Sequence, residues 1–253
     1  MEQLSDFNFL LRQLYTVPSR AQVLESDLVA EKMLAKDMTI KGNNEMPQIL
    51  IYHTHSQEKF ADSSKEGMSI VEVGDYLTEL LTYKYNFNVI HCRDSFDLTN
   101  GVLDRSNAYK NALPAVKKIL EENPSIEVVI DLHRDGLPEG ADKLVTTING
   151  KETAKIMFFN GVSRSSATGE IDYLYNPYRE ENLALSFQMK LKAMEYFPGF
   201  TRKNYIDAYQ YNMHVIDKAM LIEVGAQNNN FSEAKNAMEP LAAILYMVFS
   251  KEG

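Results

Sequence analysis

At 253 residues and 28.8 kDa, the chain suits one large domain or a domain with an appendage, and 45% apolar residues are ample for a sizeable core. A formal net charge of -9, with no Lys/Arg run, argues against nucleic acid as a partner. The longest apolar stretches are strand-sized, so no transmembrane helix is read; no signal peptide is visible, and the single cysteine, Cys92, excludes an internal disulfide framework.

Two short amphipathic helices are expected in "DFNFLLRQLYTVPSRAQVLESDLVAEKMLAKDM", broken near Pro18. The polar, Gly- and Pro-marked "TIKGNNEMPQ" then reads as a linker. The expected division is a short helical N-terminal extension over 1–46 and a main domain over 47–253. From residue 47 onward, β and α patterns alternate. A strand over Gln48 to His53 precedes a helix over Ser69 to Tyr85, with Val71, Val73, Leu77, Leu80 and Leu81 at helical spacing. A short strand near Asn88 to His91, a helix near Leu103 to Glu122 and the strand "IEVVIDLH" follow. Asn149-Gly150, between two β-rich runs, signals a hairpin. A helix near Glu180 to Tyr196 stops before Pro198-Gly199; the strand "AMLIEVG" and a helix from Ser232 to Phe249 complete the chain. Unbroken runs such as "ILI" and "VVI" suit strands covered on both faces. The fold class expected is therefore α/β, a mostly parallel central sheet with helices on both faces.

In such sheets ligands sit outside the carboxyl ends of the strands. The first strand runs into "HTHSQE", which places His53, His55 and Glu58 there. His133, Arg134 and Asp135 close a second strand, and Glu223 closes a third. Two histidines and a carboxylate are a frequent ligand set for catalytic zinc, with a fourth position left for water. His55 and Glu58 stand three apart, so a tight turn brings both to one ion, and His133 arrives from a distant strand. Imidazole and carboxylate suit Zn²⁺. Glu223 is the candidate base for a zinc-bound water.

His53 lies two residues before His55, and strand alternation would point both to one side. It either replaces His55 as ligand or stands behind it. His55 is favoured because the chain there leaves the strand and can curl with Glu58 around an ion. His91 and His214 lack a partner pattern and read as surface or structural residues; Cys92 reads as an inert small residue. The tyrosines of "YIDAYQYN" either line a groove, since aromatics bind sugar and peptide faces, or simply pack.

"ILIYHTHSQEKF", "VVIDLHRDG" and "MLIEVGAQNNNFSEA", in that order and spacing, resemble the stage II sporulation protein P family, as does "NLALSFQMKLKAMEYFPGFTR". The resemblance runs from about residue 47 to the C-terminus. It implies a peptidoglycan hydrolase similar to zinc-dependent N-acetylmuramoyl-L-alanine amidases, which removes stem peptides from glycan strands during engulfment in sporulating bacteria. Carried over residue by residue, it implies His55, Glu58 and His133 as zinc ligands and Glu223 as catalytic base. Arg134 would bind a substrate carboxylate or support the ligands. The implied partners are peptidoglycan, a lytic transglycosylase and a membrane protein of the engulfment machinery. The implied location is extracytoplasmic, with a membrane anchor in the full-length protein; no such anchor is read here, as in a truncated ectodomain or a divergent relative. Two positions depart from the family pattern. Gly225-Ala226 replaces a usual Gly-Gly, and Lys59-Phe60 replaces a usual Ser-Tyr.

A zinc carboxypeptidase-like peptidase acting on wall peptides would use the same ligand set. A wall- or partner-binding module that has lost catalysis is a third reading, and the intact set of proposed residues argues against it.

Overall fold

Side-chain alternation along the two central strands sets the architecture. In the computed structural model, which describes residues 2–64 and 67–251, seven strands form one sheet. They are β1 (Tyr15–Thr16), β2 (Ile49–Tyr52), β3 (Val89–His91), β4 (Val128–Asp135), β5 (Ile156–Gly161), β6 (Asn204–Asp207) and β7 (Ala219–Ala226). Their order is β1-β6-β5-β7-β4-β2-β3. Strands β3, β2, β4 and β7 run parallel to one another. Strands β5, β6 and β1 are parallel among themselves, and β5 meets β7 antiparallel. The sheet is mostly parallel, with one reversal.

Among the described residues six α-helices accompany it: α1 (Phe7–Leu14), α2 (Ala30–Ala35), α3 (Ile70–Glu79), α4 (Ala108–Glu122), α5 (Arg179–Tyr196) and α6 (Phe231–Phe249). Ser69 starts α3 because its Oγ accepts from the Val71 amide while Glu72 reaches back to the Ser69 amide. The helix then widens into a π-type turn from Leu80 to Lys84, so the expected helical span is filled. Asn149 and Gly150 both take positive φ and close the expected hairpin between Val145–Ile148 and Lys151–Ala154. Glu180 and Glu181 sit in the first turn of α5, where the helix dipole favours them, and the helix ends before Pro198-Gly199.

One sheet face carries Ile49 and Ile51, Val128, Ile130 and Leu132, and Met220, Ile222 and Val224 into a core shared with α3, α5 and α6. The opposite face carries Leu50, Tyr52 and Val129 against Ala112 and Val116 of α4. Helices thus lie on both faces, as expected, but α4 covers only the β2–β4 side of its face. On the β5–β7 side, Met157, Phe159 and Leu221 lie under Tyr109, Tyr205 and Tyr211. That half-covered face floors the candidate site.

The described part of the N-terminal segment contains two short helices, α1 and α2, on either side of Pro18. Its packing is continuous with the rest: Leu10, Leu14, Met33 and Ile40 are buried in the same core as Phe158 and Leu241. Tyr15 and Thr16 add an edge strand by pairing with Asn204 and Tyr205. The linker-like stretch ahead of β2 therefore joins parts of one core. Two residues are too short a run for any periodicity to announce.

Gly161 ends β5 where the loop after β6 passes over it. A Cβ at this position would stand 2.4 Å from the Tyr209 carbonyl oxygen and 2.8 Å from that of Gln210. Both are backbone atoms, so neither can rotate away. Gly161→Ala is expected to destabilise the fold by roughly 1–3 kcal/mol, the usual cost of overpacking. Urea unfolding measures it, and an unchanged midpoint would contradict this close approach.

Candidate active site

Strand β2 stops at Tyr52, and the chain turns at once. The Thr54 amide donates to Asp131 Oδ1 at 2.8 Å and its hydroxyl donates to Oδ2 at 2.6 Å, so the turn is tied to β4. One step later the Glu58 amide donates to the His55 carbonyl at 3.4 Å, which curls the segment as the spacing predicts. Glu58 points back to β4, where Oε2 accepts from the Arg134 amide at 2.8 Å. The same oxygen lies 3.7 Å from His133 Nδ1. The His55 ring stands edge-on to both His133 and Tyr109, with centroids 5.3 and 5.6 Å away. Asp131 and His133 alternate onto one face of β4, and Glu223 is the register partner of His133 on β7.

The backbone after Glu223 is built for a bend. The pairing of β7 with β4 shifts between Glu223 and Ala226, and Gly225 takes φ 61°. A Cβ on Gly225 would meet Asn229 Oδ1 at 2.7 Å. Ala226 has no such need, since it is buried in the strand opposite Asp135. This accounts for the Gly-Ala pair where the family pattern has two glycines. Phe60, the other departure, packs edge-on against Phe231 at 6.1 Å, while the Lys59 carbonyl accepts from Arg134 Nε.

His55, Glu58, His133, Arg134 and Glu223 all line one cavity of about 480 Å³. His53 does not. Its ring goes to the helix-covered face, where Nδ1 meets the Leu132 carbonyl at 2.8 Å and Nε2 meets His91 Nε2 at 2.8 Å. The expectation that His53 and His55 share a side fails because β2 ends before either residue, so alternation no longer applies. His91 in turn faces Asp75 at 3.1 Å and serves His53. Cys92 is buried beside Leu50 and Tyr52.

Burial sets the charge states. It works against charge on His133, yet Asp131, with Glu58 and Glu223, holds that imidazole up to about 10. Burial, aided by the neighbouring His133, brings His55 down to about 4. Burial pushes the Glu223 carboxyl up to about 8; His133 opposes this, and Glu58, Asp135 and Asp131 add to it. Burial raises Glu58 too, against the pull of His133, Arg134 and Arg105.

Three buried polar atoms here lack a hydrogen-bond partner: His55 Nδ1, His133 Nε2 and Glu223 Oε2. His133 Nε2 does lie 2.7 Å from Asp131 Oδ1, a charge contact without hydrogen-bond alignment. Unsatisfied buried groups of this kind are costly, and a ligand relieves them. The donor types, two imidazoles and a carboxylate, fit a divalent ion such as zinc. Among the described residues no three His, Cys, Asp or Glu side chains stand ready-spaced around one point, so binding requires side-chain rotation.

Sequence reasoning missed Asp131 and Tyr109. Asp131 stands two residues before His133 in a strand, so period-two alternation would have found it. Tyr109 opens α4 and carried no signal. The tyrosine-rich stretch does line the cavity through Tyr205 and Tyr211.

A sequence profile of the stage II sporulation protein P (SpoIIP) family matches residues 16–246. The chain belongs to this family. The stage II sporulation protein P of Bacillus subtilis (strain 168) is 24% identical over 227 residues, covering 83% of this chain and 53% of the relative. The chain thus spans about half the length of that curated relative. Among solved structures, an N-acetylmuramoyl-L-alanine amidase from Clostridium difficile 630 has a TM-score of 0.48 at 13% identity, over 82% of this chain and 99% of that one. The CwlD amidase from Clostridioides difficile, solved with the GerS lipoprotein, has a TM-score of 0.47 at 16% identity, over 79% and 94%. In this family member, the His-Thr-His-x-x-Glu block splits its histidines between the two sheet faces. No described helix is long and apolar enough to cross a membrane.

Burial, aided by His91, brings His53 down to about 3. A histidine held neutral in the folded state contributes stability that is complete above its unfolded value near 6.5 and is lost as pH falls toward the folded one. The His53-dependent loss between pH 6 and 4 is at most about 1.4 kcal/mol per pH unit. Urea midpoints of chelator-treated protein and its His53→Gln variant across this range measure it. Parallel pH profiles for the two would show that His53 is not held neutral.

Proposed function

We propose that this chain is a peptidoglycan hydrolase that cleaves the amide between N-acetylmuramic acid and the L-alanine of the stem peptide. The observation that carries the reading is the meeting of His55, Glu58, His133 and Glu223 in one cavity, with buried donor and acceptor atoms left unpaired. Family membership supports a wall hydrolase acting in sporulation. The choice of bond follows the resemblance of the family to zinc amidases.

His55, Glu58 and His133 would hold zinc, which supplies a Lewis acid and lowers the pKa of water to near ~7. The chain's own residues do the rest. Asp131, itself held by Thr54, faces His133 Nε2 at 2.7 Å and sets the ring by charge, so that Nδ1 is the nitrogen turned toward Glu58. Glu223 accepts a proton from the attacking water and delivers it to the amine of the departing L-alanine. Burial raises the Glu223 carboxyl, and the charge of a bound cation would draw it back toward a value from which it can both take a proton and return it. The Arg134 guanidinium donates to the carbonyls of Lys59 and Asp135 and, among the described residues, has no carboxylate side chain as hydrogen-bond partner, so its charge is available to an anionic group of the substrate. That free cation also suits a terminal carboxylate, which keeps a zinc carboxypeptidase-like activity as the alternative. In the full-length protein the reaction would take place outside the cytoplasm, beside a membrane anchor, a lytic transglycosylase and a membrane partner of engulfment.

Products decide the bond. Digests of purified sacculi should release stem peptides with new L-alanine amines and leave free lactyl groups; free C-terminal amino acids instead would establish the carboxypeptidase. Purified protein should bind about one zinc per chain, as an open three-ligand site does, and lose hydrolysis in chelator. Full turnover without metal would sink the zinc assignment.

The two glutamates should separate. Glu223→Gln keeps size and hydrogen bonding but removes basicity, so turnover should fall by ~10²–10⁴-fold or more. Its zinc content should stay near wild type. Glu58→Gln should lose zinc and rate together. The opposite pattern would exchange the two roles.

A further inference from the structure

The cavity runs past Glu223 along the uncovered sheet face to β6, and its far wall is furnished by the N-terminal segment. Arg20 reaches it from the turn Pro18 to Ala21, which is closed by the Ala21 amide donating to the Pro18 carbonyl at 3.0 Å. That turn is stapled to a neighbouring hairpin: the Ser166 amide donates to the Arg20 carbonyl at 3.0 Å, and the Ser166 hydroxyl to the Ser19 carbonyl at 2.6 Å. Asp207, at the end of β6, fixes the guanidinium in a fork. Arg20 Nε donates to Oδ1 at 2.7 Å, and Nη2 donates to Oδ2. Tyr211 Oη adds a bond to the same carboxylate at 2.6 Å, as does the Ala208 amide at 2.7 Å. With four donors on it and a side chain 1% exposed, Asp207 has nothing left to offer a ligand.

Arg20 does. Its side chain is 56% exposed, and two of the five N–H donors of a guanidinium are used, which leaves three. Side chains held this firmly forfeit little entropy on binding, and a planar fork selects carboxylates. We propose that Arg20 is a specificity residue that receives a free carboxylate of the stem peptide, away from the scissile amide. Because Asp207 already balances the Arg20 charge, the subsite suits one singly charged group. The rings of Tyr205 and Tyr211 border it and supply apolar wall to the peptide on either side.

The inference rests on the proposed amide hydrolysis, so the test carries two readouts. The substrates are two muramoyl tripeptides, identical except that the second stem residue bears a free carboxylate or a carboxamide. Wild type should favour the carboxylate. Arg20→Ala should raise KM for the carboxylate substrate by about 10–100-fold, the range of a hydrogen bond to a charged group, with kcat little changed. The carboxamide substrate should stay within about twofold, and Arg20→Lys should recover part of the loss. Equal losses on both substrates, or none on either, overturn the proposal. Arg20→Gln, which can still donate to Asp207, replaces Arg20→Ala if that variant shows no cooperative melting. If wild type cleaves neither substrate at the lactyl amide, the hydrolase reading fails by itself. Calorimetry of the acidic tripeptide on wild type and Arg20→Ala then decides: tighter binding to wild type supports the subsite, and equal binding removes it.

Discussion

The contact on which the rest of the site depends is the buried carboxylate of Asp131. Taking a carboxylate out of water costs several kcal/mol, and the cost is tolerable only where donors replace the lost hydration. Here the Thr54 amide, the Thr54 hydroxyl and the charged ring of His133 do so. Burial works against the Asp131 charge, yet these partners hold its pKa below the usual carboxylate range. The consequence is spatial. Thr54 stands between His53 and His55, so tying it to β4 fixes where the chain crosses from one sheet face to the other. His53 is left under the helices, and His55 and Glu58 are swung onto the face that carries His133. An unpartnered Asp131 would both destabilise the core and release that crossing.

The reversal of β5 decides what lies opposite. A parallel strand beside β7 would need a crossover helix, and such helices cover sheet faces. The antiparallel entry of β5 comes instead from the short hairpin of residues 145–154, and both α5 and α6 pack on the other face. Met157, Phe159 and Leu221 are consequently bordered by tyrosines from β6, the loop after it and the start of α4. Phe159 stacks on Tyr205 at 5.2 Å and meets Tyr211 edge-on at 4.7 Å. Tyrosine suits such a wall, since its ring packs on apolar floor and its hydroxyl serves the wet side. Tyr211 does both, packing on Phe159 and donating to Asp207.

Strands β2, β4 and β7 and helices α3, α5 and α6 were legible from the sequence because each is long enough to show its period or has a capping residue. The convergence of Glu58, His133 and Glu223 was legible because strand ends gather at one edge of an α/β sheet. The rest was hidden for identifiable reasons. The direction of His53 turns on β2 ending at Tyr52, within the error of any boundary read from propensity. Strand β6 lay inside a tyrosine-rich run whose residues read equally as groove or core, and β1 is two residues long. The buried polar stripe of α5 is likewise silent in the sequence. Asn182 donates to the Asp217 carbonyl at 2.9 Å and Lys190 to Thr201 Oγ1 at 2.8 Å, and neither partner is near in sequence. Arg20 belongs with these, since nothing local links it to Asp207.

The overall charge of -9 says little about what the cavity attracts. Field inside a cleft is set by the groups lining it and by how many are already neutralised. The charge of Arg20 is balanced by Asp207 and that of Arg202 by Asp135, so each pair adds almost no net charge, although Arg20 keeps free donors. That leaves Glu58 and Glu223 against His133 and Arg134. Both carboxyls are raised by burial, which means that each holds a proton more tightly than it would in water. A pocket that raises two carboxyls is also one in which a divalent cation gains by displacing protons, since cation and proton compete for the same oxygens. In the proposed zinc form the same charge would lower Glu223 toward a working base. Arg134, half-buried in the same lining, makes no ion pair with a carboxylate among the described residues. With the charges of Arg20–Asp207 and Arg202–Asp135 already balanced, the Glu58 and Glu223 carboxyls, the His133 ring and the Arg134 guanidinium set the local field.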